Sequence, residues 1–219
     1  MHKVLEIYYS EIKKNVVLNS DNDIIRISIK LANYIINNYE DKIIEHVLNR
    51  KYPFLQTNEK IYVKNRCKDI AEEKRAEMQA YIFTKLFFYI TTENILNMEG
   101  FIGFRIKKYL ENIEEYIDIS VNKYIADCEY NQFIDALSLY TEFQNSLIDE
   151  IEISVSDGMY NVRNSDGKII FTLSDFDDIL LDVLLTLSPE NIIVNTFCFN
   201  NKELLDVILN IFKNKVVLV

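Results

Sequence analysis

Turn-forming residues are scarce in this chain, which has four glycines and two prolines among 219 residues. A β-sandwich or a barrel needs a tight turn every few residues, and those turns draw on glycine and proline. Long helices need far fewer of them, so the shortage predicts a chain built mainly from helices. Hydrophobic residues make up 49% of the chain, enough for a folded core.

The first 92 residues carry three groups of structural signals. Two β-prone runs, residues 4–9 and 16–18, are joined by a polar segment and predict an N-terminal hairpin. Apolar residues at helical spacing then predict a helix over about residues 20–38 and a short second helix that ends before Pro53. A further helical stretch, interrupted by a kink, is predicted over residues 57–92.

The clearest helical signal comes next. Apolar residues keep a spacing of three or four over residues 102–128, which is typical of one long amphipathic helix. A separate helix is predicted to continue to about Gln144. Ile106, Ile113 and Ile117 lie on the apolar face of the long helix, and we expect their side chains to be buried.

The periodicity changes near residue 150. Residues 151–155 alternate apolar and polar, and the pairs Asp157-Gly158 and Asp166-Gly167 are turn signals, so a three-stranded meander is predicted. The elements predicted beyond the meander are a helix capped by Ser174 and Asp175, a strand at 192–194, a helix at 202–212 and a strand at 216–219.

These patterns predict an α+β fold with a mostly helical body and a small C-terminal lobe. The lobe is expected to hold a mixed sheet, formed by the meander and a following α-β-α-β segment in which strand 216–219 pairs with strand 192–194. We expect residues 1–149 to form a mainly helical region that begins with a hairpin. The α+β lobe is expected over residues 150–219, packed against that region.

The charge balance bears on the choice of partner. The chain has 24 Lys and Arg against 34 Asp and Glu, which gives a net charge of −10. Nucleic-acid binders displace counterions from phosphates with clustered cations, so this balance disfavours that class, although the class stays open. From residue 150 onward there are 11 acidic and 5 basic residues, so a basic patch is expected only earlier in the chain.

Cysteine use and hydropathy indicate a location. Cys67, Cys128 and Cys198 are widely spaced and odd in number, which argues against a disulfide framework and for a reducing compartment. We therefore expect a cytoplasmic protein. No export signal is expected either, because Glu6, Glu11 and Lys13 interrupt the apolar stretch that follows Lys3. The most apolar stretches, residues 81–90 and 179–187, are far shorter than the roughly 20 residues of a membrane span, so no integral membrane protein is expected.

Signatures of catalysis and metal binding are weak. Only His2 and His46 are present to serve a nucleophile as its base, and neither a G-x-S-x-G motif nor paired zinc-ligand spacing occurs. We expect no enzymatic activity and no cofactor. Asp175, Asp178 and Asp182 lie three and four residues apart on one side of a predicted helix. Ser174, Asp175, Asp177 and Asp178 cap that helix and complement its positive end, which leaves only Asp182 unexplained. As the alternative, Asp175, Asp178 and Asp182 bind a divalent cation for metal-dependent hydrolysis.

Two of the four glycines, Gly100 and Gly103, lie in the segment EGFIGFRIKK. One interpretation is a tight entry turn, or small residues that let two helices approach. The other is a phosphate site at the amides of a helix N-terminus, with Arg105, Lys107 and Lys108 nearby. Arg105 has no acidic residue three or four positions away, so we expect it to face outward and recognise an acidic or phosphate group on a partner.

The neighbours of these glycines also permit predictions of burial. Phe101 and Phe104 are expected in the core, where most such aromatic residues lie. Lys107 and Lys108 are expected on a helix surface, where pairing with Glu111 accounts for them.

The sequence also resembles a known family. The stretch EGFIGFRIKKY begins at Glu99, and the stretch IDISVNKYIADCEYNQFIDALSLY begins at Ile117. Their combined pattern resembles the YtxC family of endospore-forming bacteria, from which the chain departs at Lys108, often acidic there, and at Ser120, usually alanine. The resemblance continues in the meander at Gly158, Tyr160, Asp166, Gly167 and Ile169.

The resemblance implies an association with sporulation and brings no established biochemical activity with it. We therefore expect a nonenzymatic role that depends on contacts with a protein partner. The alternative is a phosphate-binding or nucleic-acid-binding protein that uses the segment from Gly100 to Lys108. The candidate interaction residues are Glu99, Gly100, Phe101, Gly103, Arg105, Lys107 and Lys108.

Overall fold

The computed structural model describes residues 3–9, 12–174, 177–197, 199 and 201–219, without the side chains of Ser174, Asp177 and Asp178. These residues form an α+β fold, as the sequence predicts. The strands are β1 (Lys3–Tyr9), β2 (Ile12–Leu18), β3 (Ile95–Asn97), β4 (Ile148–Ser156), β5 (Met159–Asn164), β6 (Ile169–Ser174), β7 (Pro189–Val194) and β8 (Val216–Leu218). The helices are α1 (Asp21–Lys51), α2 (Thr57–Glu73), α3 (Arg75–Thr92), α4 (Met98–Arg105), α5 (Lys107–Phe143), α6 (Asp177–Leu187) and α7 (Lys202–Phe212).

The chain divides into two compact units, an N-terminal unit of residues 1–126 and a C-terminal unit of residues 127–219. The boundary falls inside α5. The division into residues 1–149 and 150–219, and the packing of the second region against the first, stay predictions.

The N-terminal unit begins with the predicted hairpin. β1 pairs antiparallel with β2, in a register that places Val4 opposite Val17. On its other side β1 pairs in parallel with β3, which gives a three-stranded sheet of order β2-β1-β3. β3 was not predicted, because three residues are too few to establish an alternating pattern.

α1 is one helix where the sequence predicts two. A capping box formed by Ser20 and Asp23 begins it, and it ends at the residue before Tyr52, next to Pro53. The asparagine-rich stretch near residue 38 resembles the end of a helix, but α1 continues through it and beyond Asp41. Asp41 pairs with Lys68 of α2 at 2.6 Å, and this contact favours a continuous helix.

The long helix predicted from residue 102 is divided near its start, where the sequence predicts a continuous helix. The chain breaks at Ile106, which has φ −116° and ψ 44° and separates α4 from α5. Beyond that break, the two helices predicted over residues 102–144 form one element, α5. Ile106, Ile113 and Ile117 are all buried, as predicted. The predicted kink before residue 92 is confirmed as the break at Lys74 between α2 and α3.

The C-terminal unit contains a five-stranded sheet of order β6-β5-β4-β7-β8. β4, β5 and β6 form the predicted antiparallel meander. β7 pairs in parallel with β4 and with β8, so the predicted pairing of the last strand is confirmed. The predicted helix cap at Asp175 lies outside the described residues.

Candidate interaction site

α4 carries five of the seven candidate residues and is anchored at both its start and its middle. The Asn97 side chain caps the helix by accepting a hydrogen bond from the Gly100 N–H at 2.8 Å. Phe101 is buried, as predicted, and its ring packs edge-on against Tyr89 of α3 at 5.5 Å. The two contacts fix which side of this short helix faces outward.

The glycines of α4 do not occupy a turn. Gly100 and Gly103 lie inside the helix, and positive φ is found at other glycines, Gly158 and Gly167. A Cβ at Gly100 would meet Asn97 Oδ1 at 3.4 Å, an ordinary contact, and a Cβ at Gly103 would meet nothing within 4 Å. The predictions of a tight entry turn and of a close helix approach are therefore wrong for Gly103.

Gly103 instead lines an open groove of about 390 Å³ between α1 and the region of α4 and α5, called here the α1–α4 groove. Its apolar floor contains Ile43, Val47, Ile102 and Leu110. The polar and charged side chains around it are those of Tyr39, Lys42, His46, Arg50, Glu99 and Glu114.

The basic side chains of the groove lie on α1, and the acidic side chains lie on α4 and α5. Lys42, His46 and Arg50 repeat every four residues, so they form one stripe along α1. Glu99 and Glu114 belong to the opposite wall, and Arg50 Nη2 reaches Glu114 Oε1 at 2.5 Å. The groove therefore combines an apolar floor with a rim that offers both signs of charge.

Polar contacts hold the helices that form the walls. Tyr109 of α5 donates a hydrogen bond to Glu40 Oε2 of α1 at 2.9 Å, and burial raises the pKa of Glu40. Further along, Lys51 and Tyr52 both bind Asp118 at 2.6 Å. Burial, together with the hydrogen bond to Asp118, raises the pKa of Tyr52 to about 12. The groove is thus set between helices with fixed side-chain connections.

A second depression, of about 370 Å³, also adjoins α4 and is lined by Gly100, Phe101, Phe104 and Arg105 together with two neighbouring residues. Arg105 is exposed, and its guanidinium lies 5.6 Å from the centre of the Tyr89 ring. Phe104 is 77% exposed, so its predicted place in the core is wrong. α4 is short, and only one of its aromatic residues can face inward toward Tyr89.

The two candidate lysines are directed elsewhere. Lys108 Nζ lies 3.7 Å from Glu77 Oε1 and 5.9 Å from the centre of the Tyr81 ring, both on α3, and this contact differs from the predicted pairing with Glu111. Lys107 is exposed. The structure therefore places Glu99 and Gly103 in one groove and Gly100, Phe101 and Arg105 around another, and it does not gather both lysines at the glycines.

The candidate metal site and the cysteines offer less support for a function than α4 does. Among the described residues, no cluster of three or more His, Cys, Asp or Glu side chains is placed to hold a metal ion. Of the candidate cation ligands, Asp182 is exposed, and the side chains of Asp175 and Asp178 lie outside the described residues. Cys67 is buried, and burial raises the pKa of its thiol to about 12. Such a thiol is a poor nucleophile near neutral pH.

Sequence reasoning missed the α1 stripe and the exposure of Phe104. The four-residue repeat of Lys42, His46 and Arg50 is readable in the sequence, beside the apolar pair Ile43 and Val47. What the sequence does not reveal is that α4 lies next to this stripe, because that depends on the tertiary packing of helices that are distant along the chain.

In the described part of the chain no helix is both long enough and apolar enough to cross a membrane.

Comparison with known proteins gives one positive result. No curated protein and no solved structure matches the chain significantly. The model of the YtxC-like family matches residues 26–217, which is most of the chain and covers the greater part of each compact unit. The chain therefore belongs to the YtxC-like family.

Proposed function

We propose that this chain is a nonenzymatic, cytoplasmic protein that acts in sporulation by binding a protein partner through the outer side of α4. The binding surface, called the α4 surface, consists of Glu99, Gly103, Phe104 and Arg105 together with the adjoining α1–α4 groove. The sporulation context comes from the family resemblance. The mode of action comes from the geometry of α4.

Gly103 is the observation that carries the proposal. Glycine in a helix interior is less favourable than alanine by about 1 kcal/mol, and neither φ nor a close contact in this chain requires it at position 103. A side chain there would project toward the α1–α4 groove that Gly103 lines. The missing side chain keeps space open beside an apolar floor, as a site for a partner's side chains requires.

The exposed residues of α4 suit a protein interface. Aromatic residues and arginine are enriched in such interfaces, and truncating them often costs much of the binding energy. Phe104 is 77% exposed although its neighbour Phe101 is 3% exposed, so this apolar ring is presented outward. Arg105 stacks beside Tyr89, which limits the rotamers it loses when it binds an acidic group.

Phosphate or nucleic-acid binding is less well supported by the same geometry. The Gly100 N–H, which would face an anion, donates to the capping side chain of Asn97, and Glu99 adds a negative charge in the first turn. Lys108 lies beside Glu77. Binding of a nucleic acid that weakens steeply as salt rises, and that Arg105→Ala abolishes, would favour this alternative.

A site-specific cross-linking experiment tests the proposal. A photoreactive phenylalanine analogue replaces Phe104 in the tagged chain, which is irradiated in sporulating cells of the bacterium that encodes it. The matched control carries the analogue at Phe54, which is 66% exposed in the same unit and lines neither depression beside α4. We expect a discrete protein adduct from position 104 and none of the same mass from position 54.

Two results would contradict the proposal. Adducts of the same masses and yields from both positions would mean that α4 has no special role. Adducts with nucleic acid alone would instead support the phosphate-binding alternative.

A further inference from the structure

The C-terminal unit contains a second groove that the proposed function does not use. It has a volume of about 590 Å³ and lies between α5, α6 and α7, and it is called here the α5–α7 groove. Its lining residues are Tyr130, Phe133, Ile134, Leu137, Leu181, Glu203, Leu204, Asp206, Val207, Asn210 and Ile211.

Each long wall of the groove is a stripe at helical spacing. Tyr130, Phe133 and Leu137 form the stripe on α5, and the α7 stripe contains Leu204 and Ile211. The first and last residues of each stripe are seven positions apart, which is two turns or about 10 Å at the rise of an α-helix. The helices meet near one end, where the Thr141 hydroxyl donates to the Ile211 carbonyl at 3.1 Å.

Large aromatic surfaces in this groove are open to solvent. Phe133 is 60% exposed and Tyr130 is 52% exposed. Ile134, Leu204 and Ile211 are buried and belong to the core of the unit, so they form the floor of the groove. Aromatic rings that border an apolar trough at intervals of three and four residues match the side chains of another amphipathic helix. The shape therefore fits two turns of a helix better than an extended strand, which would need a free sheet edge.

Charge selects among the occupants. The C-terminal unit has 16 acidic and 5 basic residues, a net charge of −11, whereas the N-terminal unit has 18 acidic and 19 basic residues, a net charge of +1. Glu203 and Asp206 stand on the groove, and no cation among the described residues lies within ion-pair distance of either carboxylate. A second copy would present another acidic unit, and an anionic lipid surface would also be repelled.

We propose that the α5–α7 groove binds a basic amphipathic helix of a partner protein. Apolar residues of that helix, spaced by three, four and seven, lie between Phe133 of α5 and Val207 of α7. Its flanking lysine or arginine side chains bind Glu203 and Asp206. This site is separate from the α4 surface and does not depend on the function proposed for it.

The probe is a synthetic peptide of about 18 residues, long enough to form a helix, with leucine at helical spacing and lysine along both flanks. Two further peptides keep the leucines in place with glutamate for lysine, or keep the composition in scrambled order. Binding of each to the full chain is measured by fluorescence anisotropy at low and at raised salt. We expect binding of the basic helical peptide only, weakened by salt.

Two matched pairs of variants locate the binding. Phe133→Ala is compared with Phe143→Ala, which removes an 85% exposed ring from the same helix outside the groove. Glu203→Lys with Asp206→Lys is compared with Asp149→Lys and Glu190→Lys, the same charge change at exposed positions outside the groove. Circular dichroism confirms that each variant is folded.

We expect each groove variant to weaken binding by roughly tenfold or more and each control to change it far less. The inference is overturned if the controls lose as much affinity as the groove variants, because net charge alone would then explain binding. It is also overturned if the glutamate peptide binds equally well, or if the folded chain at micromolar concentration forms a dimer that Phe133→Ala dissociates.

Discussion

The four glycines are divided equally between α4 and the meander of β4, β5 and β6, and the two regions use them differently. In the meander, Gly158 and Gly167 both have φ +73°, a conformation that other residues adopt only with strain. In α4, Gly100 and Gly103 lie within a helix and outside the positive-φ residues. The meander glycines are required by the backbone, whereas Gly103 is not.

This difference separates residues that serve the fold from residues that are available for binding. Asp157, with φ 53°, and Gly158 form a two-residue hairpin loop of the kind that matches strand twist, so their identities follow from the turn. No comparable requirement explains Gly103, which faces open space.

The largest effect is expected at a side chain that the fold of the N-terminal unit requires. Ile113 is 1% exposed, and Ile113→Ala should lower the free energy of unfolding by about 2 to 5 kcal/mol, because it leaves a cavity in the core. Urea unfolding measures the change. A loss below about 0.5 kcal/mol, typical of surface substitutions, would show that α5 does not contribute to the core as described.

A smaller loss is expected at the meander turn. Gly158→Ala should lower the free energy of unfolding by about 1 to 2 kcal/mol, because alanine is strained at positive φ. The same urea titration measures it. Unchanged stability would mean that this turn adopts another conformation in solution, and the contrast with α4 would no longer hold.

In α4, by contrast, we expect replacement of a glycine to stabilise the protein. Gly103→Ala should raise the free energy of unfolding by about 0.5 to 1 kcal/mol, because alanine favours the helix and its Cβ meets no atom within 4 Å. Asn122→Ala, at an exposed position of α5, is the control for helix propensity alone. Destabilisation by Gly103→Ala alone would show that the fold requires glycine there.

The smallest effect on stability is expected for Arg105→Ala. The side chain is exposed and stacks on Tyr89, so its removal should cost about 0.5 kcal/mol, near the lower end for an exposed cation–π contact. The cross-link formed from position 104 should nevertheless be lost. A marked fall in melting temperature, with the cross-link retained, would assign Arg105 to the fold.

The sequence predicts most elements whose signal is local. The meander was predicted because residues 151–155 alternate and are followed by an Asp-Gly turn pair, and the final strand because its short valine run follows a helix. β3 was missed because it has three residues, and its pairing with β1 lies far away along the chain. The break at Ile106 was missed because no glycine or proline marks it.

The candidate site was predictable only in part. The two glycines and Arg105 stand out from composition and from the missing helical pair, so α4 could be singled out. The α1–α4 groove could not, because Lys42 and Gly103 approach each other only through packing between helices that are separated by more than fifty residues. Exposure of Phe104 likewise depends on which of two neighbouring aromatic rings contacts Tyr89.

Gly103→Leu tests most directly whether residue 103 lacks a side chain for the sake of a partner. Leucine favours the helix and fills the space beside the groove floor, so the variant should unfold at a urea concentration no lower than that of the wild type. The measurement is the yield of the cross-link from position 104 in this folded variant, relative to Asn122→Leu on α5. We predict loss of the adduct in Gly103→Leu and retention in Asn122→Leu. An adduct of undiminished yield in a folded Gly103→Leu protein would contradict the proposal.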